Sequence, residues 1–230
     1  MENPRHKDLK KKVIFITIFT ILGLVALQFS FTKIIGSDVS FTVFDFFGPL
    51  ATGFVGLIPG VIAVFLMQLG NFIIHGAQVV DAGTIIRFFP MLFAAWYFGR
   101  KGRFNIIIPM LAIVAFIAHP IGRTVWYYSM FWLIPIIAYF FRDRWLLARA
   151  LGTTFTAHAV GSTLWIWVFT LPAPVWISLI PIVAIERSLF AVGIAATYMV
   201  LNNVLNYLVE KEVVKWRLMV DERYLWRFAK

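Results

Sequence analysis

The chain has no cysteine among its 230 residues, which excludes disulfides, thiolate nucleophiles and cysteine-ligated metals. Charge is also scarce. Asp, Glu, Lys and Arg make up 14% of the residues, against about a quarter in an ordinary soluble domain. Acidic residues are the scarcer sign, 11 against 21 basic ones, and the formal net charge is +10. The local patterns of several enzyme classes are missing too: the sequence holds no HExxH, no GxSxG and no Walker A motif. Four scattered histidines are a weak metal signal, and no metal or cofactor is expected. Together these gaps set aside disulfide-stapled modules, thiol enzymes, zincins, nucleophile-elbow hydrolases and P-loop ATPases.

What fills the chain is apolar sequence. Hydrophobic residues account for 61% of it, and the mean hydropathy is +0.84. They arrive in eight blocks: Val13–Ile35, Thr42–Ile58, Gly60–His75, Gly83–Phe98, Phe104–Ala118, Ile121–Phe141, Leu146–Thr170 and Ile177–Tyr207. Blocks of this length and polarity are membrane helices rather than one buried core. The loops between them are too short for a soluble domain. The expected fold is therefore all-α, a polytopic integral membrane helical bundle of six to eight segments. It has a basic cytoplasmic tail at 1–12, one membrane domain at 13–207 and an amphipathic cytoplasmic helix at 208–230. Val213, Trp216, Val220, Tyr224 and Phe228 recur there at helical spacing, which suits contact with the inner lipid surface or with a partner. The N-terminal stretch, basic and then apolar, lacks a clear cleavage site and reads as a retained first helix.

The basic residues lie between apolar blocks, as the positive-inside bias requires, so the excess of positive charge points to lipid headgroups and not to nucleic acid. Arg5, Lys7 and Lys10–Lys12 precede the first block, Arg100, Lys101 and Arg103 follow the fourth, and Arg142, Arg144 and Arg149 follow the sixth. All clusters fall on one side only if Thr42–His75 crosses twice or re-enters. The localisation that follows is the cell membrane, multi-pass, with both termini cytoplasmic. Trp126, Tyr127, Tyr128, Trp132 and Trp176 fall where interfacial aromatic rings belong.

The region 42–75 stands out. Ile58-Pro59-Gly60 divides it into halves of about 16 residues, short for straight spanning helices. Broken backbone at membrane depth is tolerated where it lines a cavity, and transporters build midplane sites this way. Asp45 enters the first half, and Gln68, Asn71 and His75 close the second. Ionisable groups inside apolar segments are functional candidates by default. Arg87, His119, Arg123, His158 and the adjacent pair Glu186-Arg187 are such groups. Neighbours on a helix diverge by about 100°, so one of Glu186 and Arg187 must point at another segment, with His158 and Asp45 as possible partners. Ser162 and Trp165 share a helix face with His158, at i+4 and i+7, and suit a flat heterocycle. The substrate-binding candidates are Asp45, Gln68, Asn71, Arg87, His158, Trp165, Glu186 and Arg187. An intramembrane enzyme using His158 and Glu186, and a non-catalytic structural membrane partner, are the alternatives.

The stretch FDFFGPLATGFVGLIPG, with Asp45, Pro49 and the Gly56–Gly60 break, followed by MQLGNFI with Asn71, resembles the substrate-binding S components of energy-coupling factor vitamin transporters, the riboflavin type especially. The resemblance covers about Val13–Arg103, including the Gly-initiated helix GTIIRFFPMLFAAWYFG, and the last helix loosely. It implies a subunit without an ATPase of its own. Such a subunit captures a small water-soluble vitamin or precursor from outside and works with an energising ATPase and transmembrane module. That family has six helices, so Phe104–Phe141 reads as an inserted hairpin. The first helix carries only Gly23 and Ala26 where the family has an AxxxA face.

Overall fold

The structure is a computed structural model that describes residues 4–33, 40–74, 82–212 and 220–226. It is helical, with one short two-stranded ribbon. In order, α1 spans Pro4–Leu27, β1 Ser30–Lys33, β2 Ser40–Thr42, α2 Phe44–Phe47, α3 Ala51–Val55 and α4 Leu57–Ile74. Then come α5 at Ala82–Gly99, α6 at Phe104–Ala118, α7 at Pro120–Thr124, α8 at Leu133–Phe141, α9 at Leu146–Phe169 and α10 at Ala173–Glu210. Three 3-10 turns, at Gly48–Leu50, Trp126–Trp132 and Glu222–Tyr224, complete the elements among the described residues. By length and composition, α4 and α10 can cross a membrane.

Each of the eight apolar blocks contains helix, with three differences. The first block does not stay helical to Ile35: α1 stops at Leu27, where Phe29-Ser30-Phe31-Thr32 begins to alternate and pairs antiparallel with Ser40–Thr42. The amphipathic helix expected over 208–230 is not continuous. Helix ends at Glu210, and 220–226 is extended chain around a one-turn 3-10 helix; 213–219 and 227–230 lie outside the described residues, as do Asp38, His75 and Gln78–Asp81.

The third difference concerns the break in 42–75. It falls at Gly56, with φ +90° and ψ 170°, and not at Pro59. A side chain is strained at that φ, and glycine is not. Pro59 lies in the first turn of α4, where its missing N–H has no intrahelical acceptor to lose. Just beyond, Gly60 lets α4 approach the backbone of Thr52 so closely that an added Cβ would collide with it. The Thr52 hydroxyl donates to a carbonyl in α5, Ala95 O, at 2.8 Å, so Thr52 wedges α3 between α4 and α5.

The Gly56 turn also lies at one end of the bundle rather than at mid-depth. It shares a cavity with Gly99 and Arg100, at the end of α5, and with Arg149, in the first turn of α9. Three stretches of chain meet at this same end. Lys101 Nζ donates to Asp143 at 2.7 Å, Arg142 donates to Arg100 O at 2.9 Å, and Arg223 donates to Asp143 O. The 100–103 loop, the 142–145 loop and the 220–226 segment therefore share one side.

Two apolar clusters fill the interior. One gathers Phe19, Phe47, Leu50, Phe54, Met67 and Phe98 near the broken segment. The other gathers Phe116, Tyr128, Trp132, Phe155, Ile166 and Trp176. The rings of the second interlock edge to face about Phe116, which lies 5.2 Å from Trp132 and 5.1 Å from Trp176.

Candidate functional site

His158 is the centre of a buried polar chain on α9. Trp132 Nε1 donates to His158 Nδ1 at 3.1 Å, and His158 Nε2 lies 3.0 Å from the Tyr128 hydroxyl. An indole N–H can only donate, so Nδ1 must be the unprotonated nitrogen. The ring is then a neutral imidazole with its hydrogen on Nε2, donating to Tyr128. The Tyr128 hydroxyl passes the chain to the Ser162 side chain. Phe131 and Phe155 close over the ring edge to face, 6.3 and 6.2 Å away. With both ring nitrogens bonded, His158 is a fixed element of the site.

Charge enters from two other helices. Arg187 of α10 is buried, and its guanidinium lies 4.6 Å over the Phe190 ring. It interacts electrostatically with Asp45 of α2, with Glu186, with the Tyr128 hydroxyl and with His158. Asp45 is placed by the ribbon: the Thr42 N–H donates to its Oδ2 at 2.8 Å. Two close contacts seat α2 on α10. Phe46 meets Phe190 edge to face at 5.5 Å, and Gly193 leaves room for the Phe46 ring. Of the adjacent pair Glu186-Arg187, Arg187 turns inward and Glu186 is half-buried.

Depth can be read along the helices at 1.5 Å per residue. His158 is nine residues above Arg149, about 14 Å, and Arg187 is eleven residues above Tyr198, about 16 Å. Arg149 and Tyr198 both line the end cavity, so the His158–Arg187 cluster sits near the middle of the bundle.

The other expected site residues lie elsewhere. Gln68 Nε2 donates to Phe88 O in α5 at 3.1 Å, two residues before Pro90, and so ties α4 to α5. Asn71 accepts from Gln28 Nε2 at 3.4 Å and ties α4 to α1. Arg87 is exposed on α5. Trp165 does not stand beside His158; it packs on Phe169, ring centroids 4.3 Å apart, because a residue two turns on is carried past the imidazole toward the helix end. His119 caps α7, its Nδ1 accepting from Ile121 N at 3.3 Å. Among the described residues, no group of three His, Cys, Asp or Glu could hold a metal.

Sequence reasoning missed two members of the cluster. Tyr128 and Trp132 were expected at the membrane interface with Trp126 and Tyr127. The latter two are exposed, whereas Tyr128 and Trp132 are 2% and 0% exposed. Trp176 is also buried, its Nε1 donating to Leu171 O at 3.1 Å. The available signal was the spacing of three between Val125 and Tyr128 and between Ser129 and Trp132, which puts each pair on one edge of a 3-10 turn and the two edges side by side.

No family model, curated protein or solved structure matches the chain.

Proposed function

We propose that the chain is a multi-pass membrane subunit that binds a small water-soluble organic molecule in the cluster formed by Asp45, Tyr128, His158, Glu186 and Arg187. In this reading it delivers that molecule inward together with an energising ATPase and transmembrane module, as the resemblance to vitamin-transporter S components implies. The observation that carries the reading is the placement of an arginine, a carboxylate and an ordered imidazole at mid-depth in an apolar bundle. Groups of this kind are expensive in a bilayer and are kept where a substrate meets them. The bonded state of both His158 nitrogens favours recognition over acid–base work, since a base needs a free lone pair.

The membrane setting rests on exposed apolar surface. The apolar stretches of α4 and α10 are only 22% and 28% buried. Leu111, Val114, Phe140, Ile185 and Leu189 each expose more than 60% of their surface. A soluble protein rarely leaves such area open, while lipid covers it without cost. The convergence of Arg100, Lys101, Arg142, Arg144 and Arg149 at one end supports placing that end, with both termini, in the cytoplasm.

Thermal unfolding of the purified chain against a panel of water-soluble vitamins tests the proposal. One ligand should stabilise it, by about 2.7 kcal/mol when present at about 100 times its dissociation constant. No shift across the panel would refute it.

A further inference from the structure

The end cavity, about 14 Å along α9 from the His158 cluster, has a volume of about 540 Å³ and is walled on one side by Val220, Asp221 and Glu222. The way this short segment is held is unusual. Two consecutive asparagines on α10 bind its backbone. Asn202 Nδ2 donates to Asp221 O at 2.9 Å while Asn202 Oδ1 accepts from Asp221 N at 2.8 Å. Asn203 does the same to the next turn, donating to Tyr224 O at 2.8 Å and accepting from Trp226 N at 2.7 Å. Four hydrogen bonds from side-chain amides to main chain hold the segment on both sides of its 3-10 turn without reading its sequence.

Side chains add a pattern. Val220 and Tyr224 pack on the apolar cluster near Gly56, with Tyr224 edge to face on Tyr198 at 6.0 Å. The Asp221 carboxylate is bonded to Arg223 within the segment, Oδ2 accepting from Nη2 at 2.6 Å, and it also lies in the positive field of Arg149. Arg149 Nε is bonded to Phe98 O at 2.7 Å and its guanidinium lies 3.9 Å over the Phe98 ring. Arg223 is mostly exposed and reaches the Asp143 carbonyl across the rim. The groove thus fits an apolar residue, an acidic one and, three further on, an aromatic.

We propose that this end of the bundle carries a docking groove for a short acidic peptide that bends through one 3-10 turn, that Val220–Trp226 fills it in cis as a latch, and that release of the latch opens the cavity behind it. A partner protein presenting the same apolar–acidic–x–x–aromatic pattern would compete for the groove.

The full chain has no native cysteine, so Leu57→Cys, on the cavity wall, gives a single thiol whose alkylation rate in detergent reports cavity access. D221A/R223A/Y224A weakens the latch and leaves the groove intact, whereas N202A/N203A breaks the groove. Both should speed alkylation of Leu57→Cys on the order of tenfold, as local opening exposes the site. A synthetic peptide of sequence VDERYLW should then slow it again in D221A/R223A/Y224A and leave N202A/N203A unchanged. Should the triple variant fail to fold, R223A alone makes the same comparison. Equal rates in all backgrounds would overturn the proposal, and so would acceleration that the peptide fails to reverse. Vitamin binding at the His158 cluster is read separately, so the two proposals fail independently.

Discussion

Tyr128→Phe removes one oxygen from the middle of the Trp132–His158–Tyr128–Ser162 chain and changes the shape of the core by nothing else. Its consequence depends on His158. With the imidazole present, the Nε2 hydrogen loses its acceptor in a buried site flanked by Phe131 and Phe155, and a buried unsatisfied donor costs about 1–3 kcal/mol. His158→Leu leaves Trp132 Nε1 without its acceptor, but that cost is common to the single and the double variant and cancels in the cycle. With the imidazole gone, Tyr128→Phe unpairs no histidine donor and should cost about 0.5 kcal/mol, as the loss of one hydroxyl hydrogen bond to Ser162. The double-mutant cycle should therefore give a coupling energy of about 1–2 kcal/mol between positions 128 and 158, in the range seen for residues in one network. In a chain of this size each kcal/mol moves the melting temperature by about 2–4 °C, so differential scanning fluorimetry in detergent resolves the effect. Additive single-variant costs would mean that the 3.0 Å contact is not an energetic hydrogen bond, and the ordered-imidazole reading would fall with it.

Three further outcomes follow from the geometry. Gly56→Ala, at φ +90°, should destabilise the chain by about 1–3 kcal/mol, while Pro59→Ala should be close to neutral; the opposite order in thermal melts would return the break to Pro59. Arg142 holds the carbonyls of Phe98 and Arg100 at the end of α5, so Arg142→Met should cost about 3 kcal/mol against nearly nothing for the exposed Arg144→Ala, and equal melting temperatures would refute its capping role. The Lys101 ammonium bonded to Asp143 holds its carboxyl below the usual aspartate range, so this contact contributes stability above that range and loses it as the pH falls through the lowered value. Asp143→Asn should flatten the acid limb of the stability curve, and an unchanged limb would show that the pair contributes nothing.

The helical blocks were legible because hydropathy alone marks them, and the observed helices begin and end within a few residues of most. Where the expectation erred, the deciding quantity was local conformation. Pro59 and Gly56 are three residues apart, and composition favours the proline as the breaker. Only the first-turn position of Pro59 and the positive φ of Gly56 decide between them. The functional weight given to the break itself rested on its being at mid-depth, and the contacts of Gly99 and Arg149 put it at the bundle end. Arg142 and Arg149 read in sequence as topology charges and nothing more. Their use as caps for the α5 carbonyls requires the ends of α5 and α8 and the start of α9 to meet, which is tertiary information. The electrostatic proximity of Asp45 and Arg187 was accessible only as one of two options, because neighbours on a helix must diverge but need not say where they point.

The claim that the mid-depth cluster is a binding site is tested most directly by native mass spectrometry of the purified full chain incubated with a pool of water-soluble vitamins. The unmodified chain should carry one small-molecule adduct. Asp45→Asn combined with Arg187→Gln removes both charges together, so that neither is left buried alone, and should abolish the adduct. Arg87→Gln, on the exposed face of α5, should keep it. A bare mass for the unmodified chain, or an adduct equally abundant in the double variant, would contradict the account.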